Sequence, residues 1–70
     1  MHTYFFNINT DDNGNHEIHT DGCSYLPAVQ NREIIGYYSD CKEALNAAKN
    51  RYPSKSFDGC YWCCRNCHTG

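Results

Sequence analysis

The sequence predicts an α+β domain: a small three-stranded antiparallel sheet, one helix and a C-terminal cysteine knuckle, held together by a metal ion. Three observations carry that expectation. Two short segments rich in β-formers flank a turn-rich stretch, and a third such segment follows later in the chain. One apolar stripe recurs at helical spacing between Ser39 and Pro53. Four of the six cysteines crowd into the tail at Cys60, Cys63, Cys64 and Cys67.

Thr3 to Asn9 alternates, with Tyr4, Phe6 and Ile8 on one face and Thr3, Asn7 and Asn9 on the other; Phe5 breaks the pattern. Asp11-Asp12-Asn13-Gly14-Asn15 is the clearest turn, and Glu17 to Thr20 returns as a second strand. A two-residue Asn13-Gly14 turn would set Ile8 opposite His19. A three-residue loop with Gly14 in the left-handed region sets Ile8 opposite Ile18 and Phe6 opposite Thr20. A one-residue slip moves every side chain to the other face, so the apolar match favours the longer loop. His19 then points away from the Ile18 face.

Cys23 to Pro27 reads as a compact turn and Ala28 to Asn31 as loop. Arg32 to Tyr38 makes the third strand, with Gly36 marking a bulge or a close backbone approach. Ser39-Asp40 starts the helix, Asp40 and Glu43 having capping-box spacing. Cys41, Ala44, Leu45, Ala48 and Tyr52 form its apolar stripe, while Lys42, Glu43, Asn46, Lys49 and Asn50 take the wet side. Pro53 ends it. Ser54 to Asp58 is a polar loop leading into the tail.

Seventy residues allow one domain, residues 1–70, at a size where a hydrophobic core alone is marginal. Burial and lost chain entropy nearly cancel at this length, so a staple is expected. Met1 to Asn7 lacks the basic start and apolar run of an export signal. No stretch approaches the ~20 apolar residues of a membrane helix. These features favour the cytoplasm, where thiols stay reduced and clustered cysteines bind metal more often than they pair.

Two half-sites stand out. His19 and Cys23 form His-x3-Cys across a strand end and turn, and Cys60 and Cys63 form Cys-x2-Cys. The second spacing is a knuckle, because a tight turn points both sulfurs at one centre. Together they propose one Zn2+ bound by His19, Cys23, Cys60 and Cys63. A structural zinc ion in small peptides contributes roughly 10–16 kcal/mol apparent, more than the whole stability expected of so small a domain. The tail nevertheless holds a surplus: Cys64 and Cys67 form a second, overlapping pair, followed by His68. Three readings stay open for it. The extra thiols pack or stay free, Cys67 replaces Cys63, or Cys41 forms a disulfide with Cys64 or Cys67. Cys41 itself reads as a small apolar side chain of the helix stripe. His2 and His16 read as exposed, one at the terminus and one beside the turn.

Glu17-Ile18-His19-Thr20-Asp21-Gly22-Cys23-Ser24-Tyr25-Leu26, with Lys42-Glu43-Ala44-Leu45 and Gly59-Cys60-Tyr61-Trp62-Cys63, resembles the metal-binding fold of the Ada DNA-repair protein and its small relatives. In those relatives histidine replaces the first cysteine. The resemblance covers residues 17–63, and the whole chain looks like a member of a small bacterial protein family of this type. It implies a strand, His-x3-Cys, another strand, an Ala-rich helix and then Cys-x2-Cys. The chain departs from it in its longer Pro53–Asp58 loop and in Cys64, Cys67 and His68.

The family's methyl-acceptor chemistry is not expected here. Four thiolates leave zinc at −2 and a sulfur nucleophilic, whereas one histidine and three thiolates leave −1 and less electron density for alkyl transfer. The net charge of −2 gives no drive toward nucleic acid. Arg51, Lys55 and Arg65 do concentrate cations in the second half of the chain. No βαβ pattern surrounds either Cys-x2-Cys, as thioredoxin-like chemistry requires. No carboxylate pair, Ser-His-Asp set or phosphate-cradling glycine loop is visible. The reading is therefore a non-catalytic zinc-stabilised module of unknown cellular role, a monomer that binds protein or, less expectedly, nucleic acid through Arg51, Lys55 and Arg65 beside Tyr61 and Trp62, and no membrane. The alternative is a disulfide-stapled small binding protein and, behind it, a thiol redox or methyl-acceptor protein.

Overall fold

In a computed structural model that describes residues 1–69, β1 (His2–Asn7) and β2 (His16–Thr20) form an antiparallel hairpin. Asp11 builds the connection. Its carboxylate accepts from the backbone N–H of Asn13 and of Asn15, both at 2.9 Å, and Gly14 closes the turn at φ 80°. This loop closes on itself, so the ladder stops at Asn7 rather than running on to Ile8. Phe6 consequently faces Ile18 and Tyr4 faces Thr20. That register differs by two residues from the expected Ile8–Ile18 match. A two-residue shift preserves the faces, so Tyr4, Phe6 and Ile18 are still buried together while Ile8 is exposed.

β3 (Arg32–Tyr38) pairs antiparallel with the other side of β1. The pairing steps from Tyr4–Gly36 to Phe5–Ile34, a bulge that turns Ile35 into the core. Gly36 sits at φ 150°, and a Cβ there would lie 2.9 Å from the Tyr38 ring. The positive φ favours glycine, and any larger residue would also have to displace the Tyr38 ring.

The sheet has a fourth strand, and it is mixed rather than antiparallel. β4 (Phe57–Gly59) pairs in parallel with β2, giving the order β3-β1-β2-β4. A three-residue strand ending in Asp-Gly is too short to show a period, which is why its sequence looks like loop. Phe57 reveals it in three dimensions, packing edge-on against Phe6 with ring centroids 5.2 Å apart. The same pairing buries His16, contrary to its expected exposure. Its ring lies between Phe6 and Phe57, and Nδ1 donates to the Asn7 carbonyl at 2.8 Å.

The helix α1 (Cys41–Arg51) returns the chain from β3 to β4 and buries Cys41, Ala44 and Ala48 against the sheet. Asp40 caps it, accepting from the Glu43 N–H at 2.9 Å. Glu43 reaches back one residue further than in a capping box and accepts from the Ser39 N–H at 3.0 Å. At the other end Arg51 donates to the Ile34 and Ile35 carbonyls at 3.3 and 3.2 Å, binding the helix to the bulged strand. Among the described residues, no helix is long and apolar enough to cross a membrane.

Replacing the cap by Asp40→Ala leaves the Glu43 N–H without its side-chain acceptor. The expected loss is about 1 kcal/mol, read as a lower urea midpoint at unchanged slope.

Candidate metal centre

The parallel pairing of β2 with β4 creates the site. Ile18 lies level with Gly59, so the next residues, His19 and Cys60, come level on the opposite face of the sheet. The Cys60 N–H donates to the Ile18 carbonyl at 3.0 Å and holds that register past the strand end. Beyond β2 the chain turns at once, the Cys23 N–H donating to the Thr20 carbonyl at 3.2 Å, and Cys23 swings back toward His19. Beyond β4 a tight turn, closed by Cys64 N–H to the Cys60 carbonyl at 2.8 Å, aims Cys63 at the same point.

The four side chains singled out by spacing thus meet. One donor atom from each of His19, Cys23, Cys60 and Cys63 lies within 4.8 Å of the others, a group that could hold a metal ion. The Cys23 and Cys60 sulfurs are 3.9 Å apart. His19 Nδ1 lies 3.6 Å from Cys23 Sγ and 3.9 Å from Cys63 Sγ. His19 and Cys60 are buried, and Cys23 and Cys63 are half-buried.

The surroundings suit a cation. His19 is 1% exposed, and desolvation pulls its pKa down, keeping the imidazole in the neutral form that ligates. Burial pushes the thiols the other way. Cys60 is raised, and Cys63 is pushed up to about 12, by desolvation first and by the Cys23 side chain next. A positive ion would offset that cost, because thiolates buried together repel. Backbone amides already point at the sulfurs: Thr20 N–H at Cys63 and Tyr25 N–H at Cys23, each 3.4 Å away.

Sequence reasoning passed over Glu17. Its carboxylate lies 3.4 Å from His19 Nε2, on the side of the ring away from the sulfurs. A carboxylate there favours the proton on Nε2, which leaves the Nδ1 lone pair facing Cys23 and Cys63. The signal was present, since residues two apart in a strand share a face.

The surplus groups lie elsewhere. Cys41 and Cys67 face each other with sulfurs 2.6 Å apart, and Cys64 is buried beside them. His68 Nδ1 donates to the Gly59 carbonyl at 2.9 Å, and Thr69 donates through N–H and Oγ1 to the buried Asp58 carboxylate at 2.7 and 3.1 Å. The tail therefore wraps β4, and Gly59 is the post it passes around. A Cβ on Gly59 would lie 2.5 Å from the Cys64 carbonyl oxygen and 2.7 Å from Cys67 Cβ. Trp62, 66% exposed, stacks on Tyr25 with centroids 5.7 Å apart, and this pair roofs Cys23 and Cys63.

Comparison with known proteins finds no matching family, no similar curated protein and no similar solved structure.

Two glycines give a paired prediction. Gly59→Ala places a methyl group against backbone atoms that are held in place, and should destabilise by at least about 2 kcal/mol through overpacking. Gly22 has open space around its Cβ position, so Gly22→Ala should unfold within about 0.5 kcal/mol of the wild type. Thermal or urea unfolding of the two variants checks this.

Proposed function

We propose that this chain is a non-catalytic module whose fold depends on one zinc ion held by His19 Nδ1 and the sulfurs of Cys23, Cys60 and Cys63. The observation that carries the reading is the spacing of those donors. A tetrahedron with Zn–S near 2.3 Å and Zn–N near 2.05 Å sets sulfurs about 3.8 Å apart and a sulfur about 3.6 Å from the nitrogen. The donor set has 3.9 Å for Cys23 to Cys60 and 3.6 and 3.9 Å for sulfur to His19 Nδ1. Three thiolates and one imidazole suit zinc over calcium or magnesium, which take oxygen ligands. Four protein ligands close the coordination sphere, the arrangement of a structural rather than a catalytic ion.

The ion's task on this reading is mechanical. It joins the first hairpin to the tail and so holds Trp62, between two ligands in sequence, against Tyr25. The Ada-like resemblance agrees with a site of one histidine and three cysteines. Methyl transfer does not follow from it, because the centre would carry −1 rather than −2 and the chain is acidic overall. The same charge weighs against a nucleic-acid partner. Thiols that stay reduced to hold zinc accord with the cytoplasm.

Native mass spectrometry of the reduced protein should show one bound Zn2+ per chain. Cys23→Ser and Cys60→Ser should each remove it. Glu17→Gln should keep the fold but weaken zinc binding about tenfold in a competition titration with a chromophoric chelator. A chain that binds no zinc, or one whose zinc survives loss of Cys60, would overturn the reading.

A further inference from the structure

We infer that Cys41 and Cys67 form an oxidisable dithiol, a modification site separate from the proposed metal ligands, which peroxide converts to a disulfide. The sulfurs lie 2.6 Å apart, far nearer to a covalent S–S bond of about 2.05 Å than two unbonded sulfurs normally approach. Both are buried, and both come from elements with fixed backbones: Cys41 is the first residue of α1, and Cys67 closes the 3-10 turn Arg65–Cys67. That turn packs directly on the Gly59 backbone, where a Cβ would lie 2.7 Å from Cys67 Cβ.

The surrounding structure decides which pair reacts and with what. A groove of about 460 Å³ opens beside the knuckle and is lined by Cys41, Cys63, Cys64, Tyr4, Trp62 and Arg65. Cys41 lines this groove beside Cys63 and Cys64, so a small oxidant such as hydrogen peroxide that enters it meets a sulfur already in contact with Cys67. The Cys41 sulfur attacks one peroxide oxygen and breaks the O–O bond, giving a sulfenic acid and one water. The Cys67 sulfur then attacks the Cys41 sulfur and expels the second water. Two thiols lose two electrons and two protons in all, and one peroxide becomes two waters. None of the four ligand side chains takes part. The bond would tie the start of α1 to the tail independently of the ion, and in a reducing compartment a thiol reductant reverses it.

The test uses the full-length, zinc-loaded protein exposed to limiting hydrogen peroxide and digested with trypsin without reductant. Cleavage after Arg32, Lys42 and Arg65 puts Cys41, Cys64 and Cys67 on three different peptides. The expected product joins Glu33–Lys42 to the peptide that begins at Asn66, is undone by dithiothreitol, and forms without release of zinc into a chromophoric chelator. Cys67→Ser should abolish it and Cys64→Ser should not. Linkage of Cys41 to Cys64, bonds involving Cys60 or Cys63 with loss of zinc, or six unmodified thiols would each overturn the inference. The mapping on unaltered protein decides the matter even if a serine variant fails to fold. A protein that binds no zinc yet forms the Cys41–Cys67 link would separate this inference from the zinc reading.

Discussion

The structure turns on a convergence of donors distant in sequence. His19 and Cys23 come from the hairpin, Cys60 and Cys63 from the tail, and between them a strand, a helix and a second short strand carry the chain back. The core beneath is modest: Tyr4, Phe6, Ile18, Ile35, Phe57, two alanines and several sulfurs. So small an apolar set is close to balance against the entropy of ordering the chain. An ion held at the point where the four donors meet would supply what the core lacks, and it would do so across a long loop closure.

The overlapping cysteine pairs of the tail become intelligible around Gly59. Cys60 follows it directly and is carried by the strand register to the side of His19. Cys64 and Cys67 pass over the face where Gly59 lacks a side chain and meet Cys41 of the helix. One Cys-x2-Cys pair thus lies on the side of His19 and Cys23 and the other on the side of Cys41, with Cys64 in contact with Cys63 between them. Desolvation raises the thiol pKa values on both sides, Cys63 and Cys67 each to about 12, but the two groups differ in what they can hold. The first brings an imidazole nitrogen and three sulfurs within 4.8 Å of one another; the second has two sulfurs 2.6 Å apart.

Much of this was legible in the sequence where periodicity was long enough to read. The helix stripe, its Asp40 cap, the Arg32–Tyr38 strand and the glycine at its bulge all follow from local pattern. So does the pairing within each half of the candidate site, because His-x3-Cys and Cys-x2-Cys are turn geometries set within a few residues. What escaped was non-local. β4 is three residues long and defined only by its partner, so both the strand count and the parallel pairing were hidden, and with them the burial of His16. The hairpin register missed by two residues because the Asp11 side chain closes its own loop, a hydrogen-bonding choice that outweighed the apolar match of Ile8 with Ile18. Gly59 takes its role from the Cys64–Cys67 turn that packs against it, which no local window contains, whereas Glu17 stood two residues from His19 on one strand face and was legible.

The most direct measurement is the two-dimensional amide NMR spectrum of reduced protein before and after a strong zinc chelator. The account predicts that dispersion collapses across β1, β2 and the tail together, and that one equivalent of Zn2+ restores it. A chelated protein that keeps its dispersed spectrum and its melting temperature would contradict it.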